Sequence, residues 1–426
     1  MKNAFIVIGV SLLFLSMPVG LCSDCGCDEK AVTDVGTEQS SAPWLTADDI
    51  AALQEQGKQE GWTFTVAENP ATQRPFNQLC GFVVPDNWWV NADFDPCTPT
   101  RDLPTRFDWR ELGGCTPIKN QESCGSCWAF GTMAALECNI LIRDHQEVDL
   151  SEQWLVSCNR NNWGCQGGWW AHDYFQWKLD KSNATGAVLE DEFPYVAQNV
   201  PCEGGYSHPY KIDSWRFVGT PGGVPSVNGM KQAIMTYGPI SVAIAVTGAF
   251  GGYTGGVFNQ DDPGAGINHA VALVGWDDSQ GENGVWFLRN SWGPWWGEDG
   301  YMRIEYGVLK VGYAACYVDY PLRTKIDIKS GVLGLNVDLT NADNVTKENI
   351  AWNIVMKGGV YGNVNLSLNT NIPALQPSET VNRRIMRFGF GPVTITATAD
   401  PSGPTKTTST ANGYLLGLIL VILDEN

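Results

Sequence analysis

The chain has 426 residues and a formal net charge of −19. That length exceeds one ordinary domain, and that acidity excludes nucleic acid and anionic membrane as partners, because both demand basic patches. Apolar residues make up 43% of the chain, enough for a sizeable core, so two folded units behind a leader are expected.

Residues 1–22 follow the order of a secretory signal peptide: Lys2, the apolar run from Phe5 to Leu15, then small residues from Ser16 to Gly20. A short buried N-terminal helix is the alternative. Cys22 invites lipid attachment, but Leu21 before it is too bulky for a good lipoprotein cleavage site. Thirteen cysteines in an exported chain imply a disulfide framework with at least one odd thiol. Export also gives meaning to the Asn-x-Ser/Thr sites at Asn183, Asn344 and Asn365, if the source glycosylates. The stretch up to about residue 43 is small and polar, and reads as a linker. Thr46 and Asp49 form a capping pattern that predicts a short helix, and Gly61–Val66 is strand-like. A Pro- and Trp-rich stretch then runs to Pro104. Residues 23–102 are too irregular to hold a core and read as a segment laid over another domain.

From Leu103 the texture becomes globular. Two cysteines three apart stand in Cys124-Gly-Ser-Cys127, with Gln121 before them and Trp128 after. Apolar spacing through Ala129, Met133, Leu136 and Ile140 predicts a helix to about Arg143. Ser151 caps another. A Gly-rich loop covers Gly164-Cys-Gln-Gly-Gly-Trp-Trp170, and Ala171–Leu179 resumes helical spacing. From about Ser214 strands dominate: Pro239–Val246, His269–Trp276, Val285–Asn290 and Tyr301–Tyr306. A helical half followed by a β half predicts two lobes with a cleft between them. After Tyr320-Pro321 cysteine and histidine vanish, and seven or so alternating runs, from Lys325–Lys329 to Gly413–Leu423, predict a β-sandwich over 322–426. Its last apolar run, Tyr414–Leu423, is too short to cross a bilayer as a helix. It reads as the closing strand rather than a membrane or glycolipid anchor.

A thiol that attacks an amide carbonyl must be ionised, needs an acid for the leaving amine, and needs donors for the developing oxyanion. Cys127 at a helix N-terminus suits the first role and Gln121 the last. A structural Cys-x-x-Cys pair or half a zinc site is the competing reading. The acid must come from four histidines. His145 reads as solvated surface, His172 as part of an aromatic helix with a core or surface role, and His208 as a loop residue. His269 opens an apolar strand, so its side chain can lie at a cleft edge. Its separation from Cys127 falls in the roughly 130–150 residues typical of one class of thiol peptidase. Asn290, in Asn-Ser-Trp-Gly293, can accept from the imidazole, and Trp292 can roof that bond.

Gln121 with Cys124–Phe130, Gly164–Gly168, His269-Ala-Val271 and Asn290–Gly293 occur in the order that resembles papain-family cysteine peptidases, over about Leu103–Pro321. The resemblance implies an α+β fold: a papain-like two-lobed peptidase (helical lobe plus β-barrel-like lobe) followed by an all-β sandwich domain. It implies Cys127 as nucleophile, His269 as acid/base partner, Asn290 as its orienter, and Gln121 with the Cys127 N–H as oxyanion hole. It implies that Gly167 and Gly168 offer backbone to an extended substrate. Trp169 and Trp170 would wall the pocket for the second residue before the scissile bond, ordinary packing being the alternative. Disulfides Cys124–Cys165 and Cys158–Cys202 follow from the family, and Cys115–Cys138 from similarity to cathepsin B; Cys316 is left unplaced. No cofactor and no metal is expected.

Trp62, Asn69 and Leu79-Cys-Gly81 resemble the short propeptide of cathepsin B-like enzymes, so the segment around Cys80 is expected to cross the active site against the substrate's direction and inhibit a zymogen. The stretch between Tyr195 and Trp215 is too short for the occluding loop that makes cathepsin B a carboxydipeptidase. Endopeptidase action on proteins or peptides, outside the cell or at its surface, is therefore expected. The last domain resembles immunoglobulin-like modules of secreted and surface proteins of bacteria and archaea, and either a cell-surface or polymer ligand or the role of a spacer is open to it. A rival reading makes that domain the functional module and the peptidase idle. The presence of both Cys127 and His269 counts against it.

Overall fold

A computed structural model describes residues 42–425 apart from 100–101, 145, 321–323, 332–333, 342–345, 377 and 402–406. The signal-peptide reading, Cys22, His145 and Asn344 lie outside the described residues. Asn183 and Asn365 are exposed.

The leader begins with the helix Ala47–Glu60. Its capping box is complete: Thr46 accepts from the Asp49 N–H, and the Asp49 carboxylate accepts from the Thr46 N–H at 2.8 Å. Gly61 ends it in the left-handed conformation, φ 70°, which costs glycine little. The strand Phe64–Val66 then pairs antiparallel with Tyr253–Phe258, and the Phe64 ring packs 4.3 Å from that of Phe258. Further on, Phe94–Asp95 pairs in parallel with Phe217–Val218. The leader is thus stitched to the edges of a ten-stranded sheet rather than folded alone.

The helical lobe is built around the helix Cys127–Asp144. Small and aliphatic residues on all its sides let it be buried almost all round, so it needs no polar face. Leu136 and Ile140 share a core with Trp154, Leu155 and Tyr174. Ser151 caps the helix Glu152–Ser157 by accepting from the Trp154 N–H at 2.9 Å. The helical spacing of Ala171–Leu179 yields only a 3-10 turn, His172–Gln176, because Trp177 leaves in an extended conformation.

In the other lobe Ile240–Ile244, His269–Asp277, Val285–Arg289 and Tyr301–Glu305 are successive antiparallel neighbours. The first three are buried along their whole length, which explains their near-continuous apolar sequences. They share a second core that includes Leu273, Trp286, Leu288 and Trp292. Cys127 belongs to the first of these cores and Trp292 to the second.

Residues 324–425 form a three-stranded and a five-stranded sheet over one core that includes Val337, Trp352, Ile395 and Leu415. The run Tyr414–Leu423 is not a single closing strand. Gly417, at φ 70°, turns the chain between Thr407–Gly417 and Ile419–Glu425, and Leu416 pairs with Ile419. Another of the alternating runs, read over Arg384–Phe390, is likewise divided, one strand ending at Ile385 and the next starting at Gly389.

Candidate active site

Cys127 is the first residue of its helix and is fully buried. The aligned peptide dipoles place a partial positive charge at that end, which favours a thiolate over a thiol. The loop before it is held by the Cys124–Cys165 disulfide and by the Gly125 N–H on the Cys165 carbonyl at 2.9 Å. His269 starts its strand, and its Nε2–H donates to Asn290 Oδ1 at 2.8 Å. An amide oxygen can only accept, so this bond fixes the proton on Nε2. Nδ1 has no hydrogen bond of ordinary geometry, although the Leu79 carbonyl lies near enough to favour the protonated ring. The Trp292 ring stands 4.8 Å from the imidazole, itself backed by Phe250 at 5.6 Å, and keeps water off the His269–Asn290 bond.

Gln121 is held from both ends. Its Oε1 accepts from Ser291 Oγ at 2.8 Å, and its backbone N–H donates to the Ser291 carbonyl at 2.8 Å. The Tyr195 hydroxyl donates to the Gln121 carbonyl at 2.8 Å and lies 2.6 Å from Ser126 Oγ. The Gln121 Nε2 also donates to the Cys124 carbonyl at 3.0 Å, which leaves its other hydrogen for the cleft.

The leader fills that cleft. Gln121 Nε2 donates to the Leu79 carbonyl at 3.0 Å and to that of Gln78 at 3.2 Å. The Gly81 N–H points at Cys127 Sγ, 3.3 Å away. Next, the Gly168 N–H donates to the Gly81 carbonyl and the Val83 N–H to the Gly168 carbonyl, both at 2.9 Å. This pairing of Phe82 with Gly168 is parallel. A Cβ at Gly168 would stand 2.7 Å from the Trp128 ring, and Gly167 sits at φ 124°, so side chains there would close the backbone edge the leader uses. Phe82 places its ring 4.8 Å from Trp169 and 4.6 Å from Trp170.

Burial under the leader sets the electrostatics. It pushes the Cys127 thiol up to about 11, against the hydrogen bonds from Gly81 and neighbouring backbone. It pulls His269 down to about 4, only partly offset by Asn290 and Leu79. Both shifts favour the uncharged thiol and the uncharged imidazole while the leader is in place. With water readmitted, the same geometry can hold a thiolate beside an imidazolium and offer Gln121 Nε2 to an oxyanion.

Cys158 and Cys202 are joined, but Cys115 and Cys138 are not. In place of the expected third bridge, the half-buried Cys115 donates to the buried Cys138, which also lies 3.5 Å from Arg289 Nη1. Those two donors pull Cys138 down to about 6. Cys316 is a buried free thiol. His172 is fully buried with both ring nitrogens unpartnered, and burial pulls it down to about 3. His208 is held between the Gly186 carbonyl and Asp180. Among the described residues no cluster of His, Cys, Asp or Glu is placed to hold a metal, and no helix is long and apolar enough to cross a membrane. Sequence reasoning missed Ser291 and Tyr195. Ser291 stands inside the Asn290–Gly293 motif, which was a usable signal; nothing marks Tyr195.

A family model described as "Papain family cysteine protease" matches residues 103–320. A viral cathepsin of Cydia pomonella granulosis virus is 37% identical over 211 residues, covering 49% of this chain and 59% of that protein. Zingipain-2 of Zingiber officinale is 39% identical over 207 residues, covering 48% of this chain and 88% of that one. The chain spans less than two thirds of the length of the first curated relatives it matches. Among solved structures, a digestive procathepsin L2 proteinase from Tenebrio molitor larval midgut superposes with a TM-score of 0.56 at 27% identity, over 64% of this chain and 89% of that one.

Proposed function

The chain belongs to the papain family of cysteine proteases, and on that premise we propose that it is an endopeptidase made as a zymogen. Cys127 attacks the scissile carbonyl as a thiolate. The oxyanion accepts from Gln121 Nε2 and the Cys127 N–H, and protonated His269, oriented by Asn290, gives its proton to the leaving amine. Water then attacks the acyl-enzyme, with His269 as base. Gly167 and Gly168 pair with the substrate backbone, Trp169 and Trp170 wall the pocket for the second residue before the cut, and Trp292 shields the His269–Asn290 bond. The observation that carries this reading is the leader's use of the same groups: Leu79 takes the oxyanion donor while Gly81 faces the sulfur.

The domain limits proposed are a signal peptide at 1–22, linker and inhibitory propeptide at 23–102, peptidase at 103–321 and sandwich at 322–426. The signal peptide implies secretion or display at the cell surface. The sandwich, which resembles immunoglobulin-like modules, would take a cell-surface or polymer ligand. The propeptide is cathepsin B-like in its Leu79-Cys-Gly81 crossing.

An epoxide affinity label tests the proposal. The processed enzyme is expected to take up one equivalent on Cys127, Cys127→Ala none, and the full-length chain at neutral pH almost none, read by intact mass. A full-length chain that labels and cleaves peptides without processing overturns the zymogen reading.

A further inference from the structure

Beyond the strap at the catalytic groups, the leader lays a second aromatic side chain on the peptidase. The Trp88 ring lies 4.6 Å from Phe217 and 5.5 Å from Trp169, and its indole N–H donates to the Tyr313 hydroxyl at 3.1 Å. Trp169 thus meets two leader rings, Phe82 at 4.8 Å and Trp88 at 5.5 Å. Beside Trp88 a cavity of about 480 Å³ remains open, bordered by Trp163, Tyr174 and Trp215. When the leader departs, Trp169, Phe217 and Tyr313 lose their cover together. A contiguous apolar patch of that kind, with one polar handle at its rim, is a recognition surface rather than spare core.

We propose that this surface is a second specificity site of the mature peptidase. It takes a tryptophan, or another large aromatic side chain, of a polypeptide substrate. The site lies about two to three extended residues farther from the scissile bond than the pocket between Trp169 and Trp170. The leader supplies the argument for the occupant: what covers the surface now is an indole, seated by ring contacts and by one hydrogen bond that a phenyl ring cannot make. Tyr313 therefore ranks tryptophan above phenylalanine, and Phe217 and Trp169 rank either above a small residue. The inference rests on the peptidase reading above.

The test uses the processed enzyme, with active sites counted by the epoxide label, and peptides that differ only in the residue four or five places before the cut. A tryptophan there is expected to raise kcat/KM about tenfold over alanine, through KM. Tyr313→Phe, which keeps the ring and removes the acceptor, is expected to erase the margin of tryptophan over phenylalanine. In parallel, a synthetic peptide of residues 78–93 should inhibit the enzyme, and its Trp88→Ala form should need about tenfold more. Cleavage that is indifferent to the residue at those places overturns the proposal and leaves the peptidase reading standing. An enzyme that neither takes the label nor cuts any peptide overturns both.

Discussion

At Gly81 a Cβ would stand 1.9 Å from the Gly125 carbonyl oxygen, far inside any tolerated contact. The obstacle is backbone on a loop tied down by the Cys124–Cys165 disulfide, so it cannot give way. Gly81→Ala must instead lift the strap, lengthening the Gly81 contact to Cys127 and the Leu79 contact to Gln121 together. The full-length variant is expected to react with the epoxide label at least about tenfold faster than the parent, since roughly 1.4 kcal/mol of lost strap binding suffices for that factor. Equal rates would show that Gly81 does not hold the site shut. At this scale the sequence is most legible where chemistry restricts the residue type: Cys127, His269, Asn290 and Gln121 are each hard to replace in the roles read for them. Tyr195 was not legible. It acts through one hydroxyl on a carbonyl and a serine, which any surface tyrosine could offer, and only the fold brings residue 195 to residues 121 and 126.

Elements meet behind the active site at Lys119. Its ammonium lies 2.6 Å from Glu137 on the Cys127–Asp144 helix, 3.0 Å from Glu152 at the start of the next helix, and 2.6 Å from Asp149. Glu137 and Glu152 are buried, and burial raises Glu152 to about 8, against the pull of Lys119. Removing Lys119 takes the nearest cation from both buried carboxyl groups and leaves Arg289 as a more distant charge acting on Glu137. Lys119→Met is therefore expected to cost on the order of 3–5 kcal/mol in urea unfolding. A loss within about 0.5 kcal/mol, the range of ordinary surface substitutions, would mean the carboxylates are already neutral. Helices and strands were legible wherever period and caps agreed, as at Thr46, Ser151 and the His269 strand. Two features were not. The turn at Gly417 lies in an unbroken apolar run with no polar punctuation, so one strand was read where two stand. The pairing of Phe94–Asp95 with Phe217–Val218 joins residues too far apart in sequence for any local pattern to announce it.

Across the whole molecule the buried residues up to Tyr320 and those from Ile326 on form separate cores, and the composition of the sequence changes between them. The docking of the leader was readable only as an expectation of cover. Its stitching at Phe64–Val66, its crossing at Leu79–Gly81 and its aromatic anchors depend on surfaces assembled from distant parts of the chain. The parallel pairing of Phe82 with Gly168 carries one further consequence. A chain threaded in that sense offers its amide bonds back to front, with the leaving nitrogen away from the imidazole. A molecule that cannot hydrolyse the peptide lying in its own groove must be opened by a neighbour. Conversion of the full-length protein should therefore be second order at the start and self-accelerating afterwards. On dilution the lag should lengthen in proportion, and a trace of processed enzyme should remove it; a lag independent of concentration would point to cleavage within one molecule. A dilute stock is then expected to keep, and a concentrated one to switch on as a population.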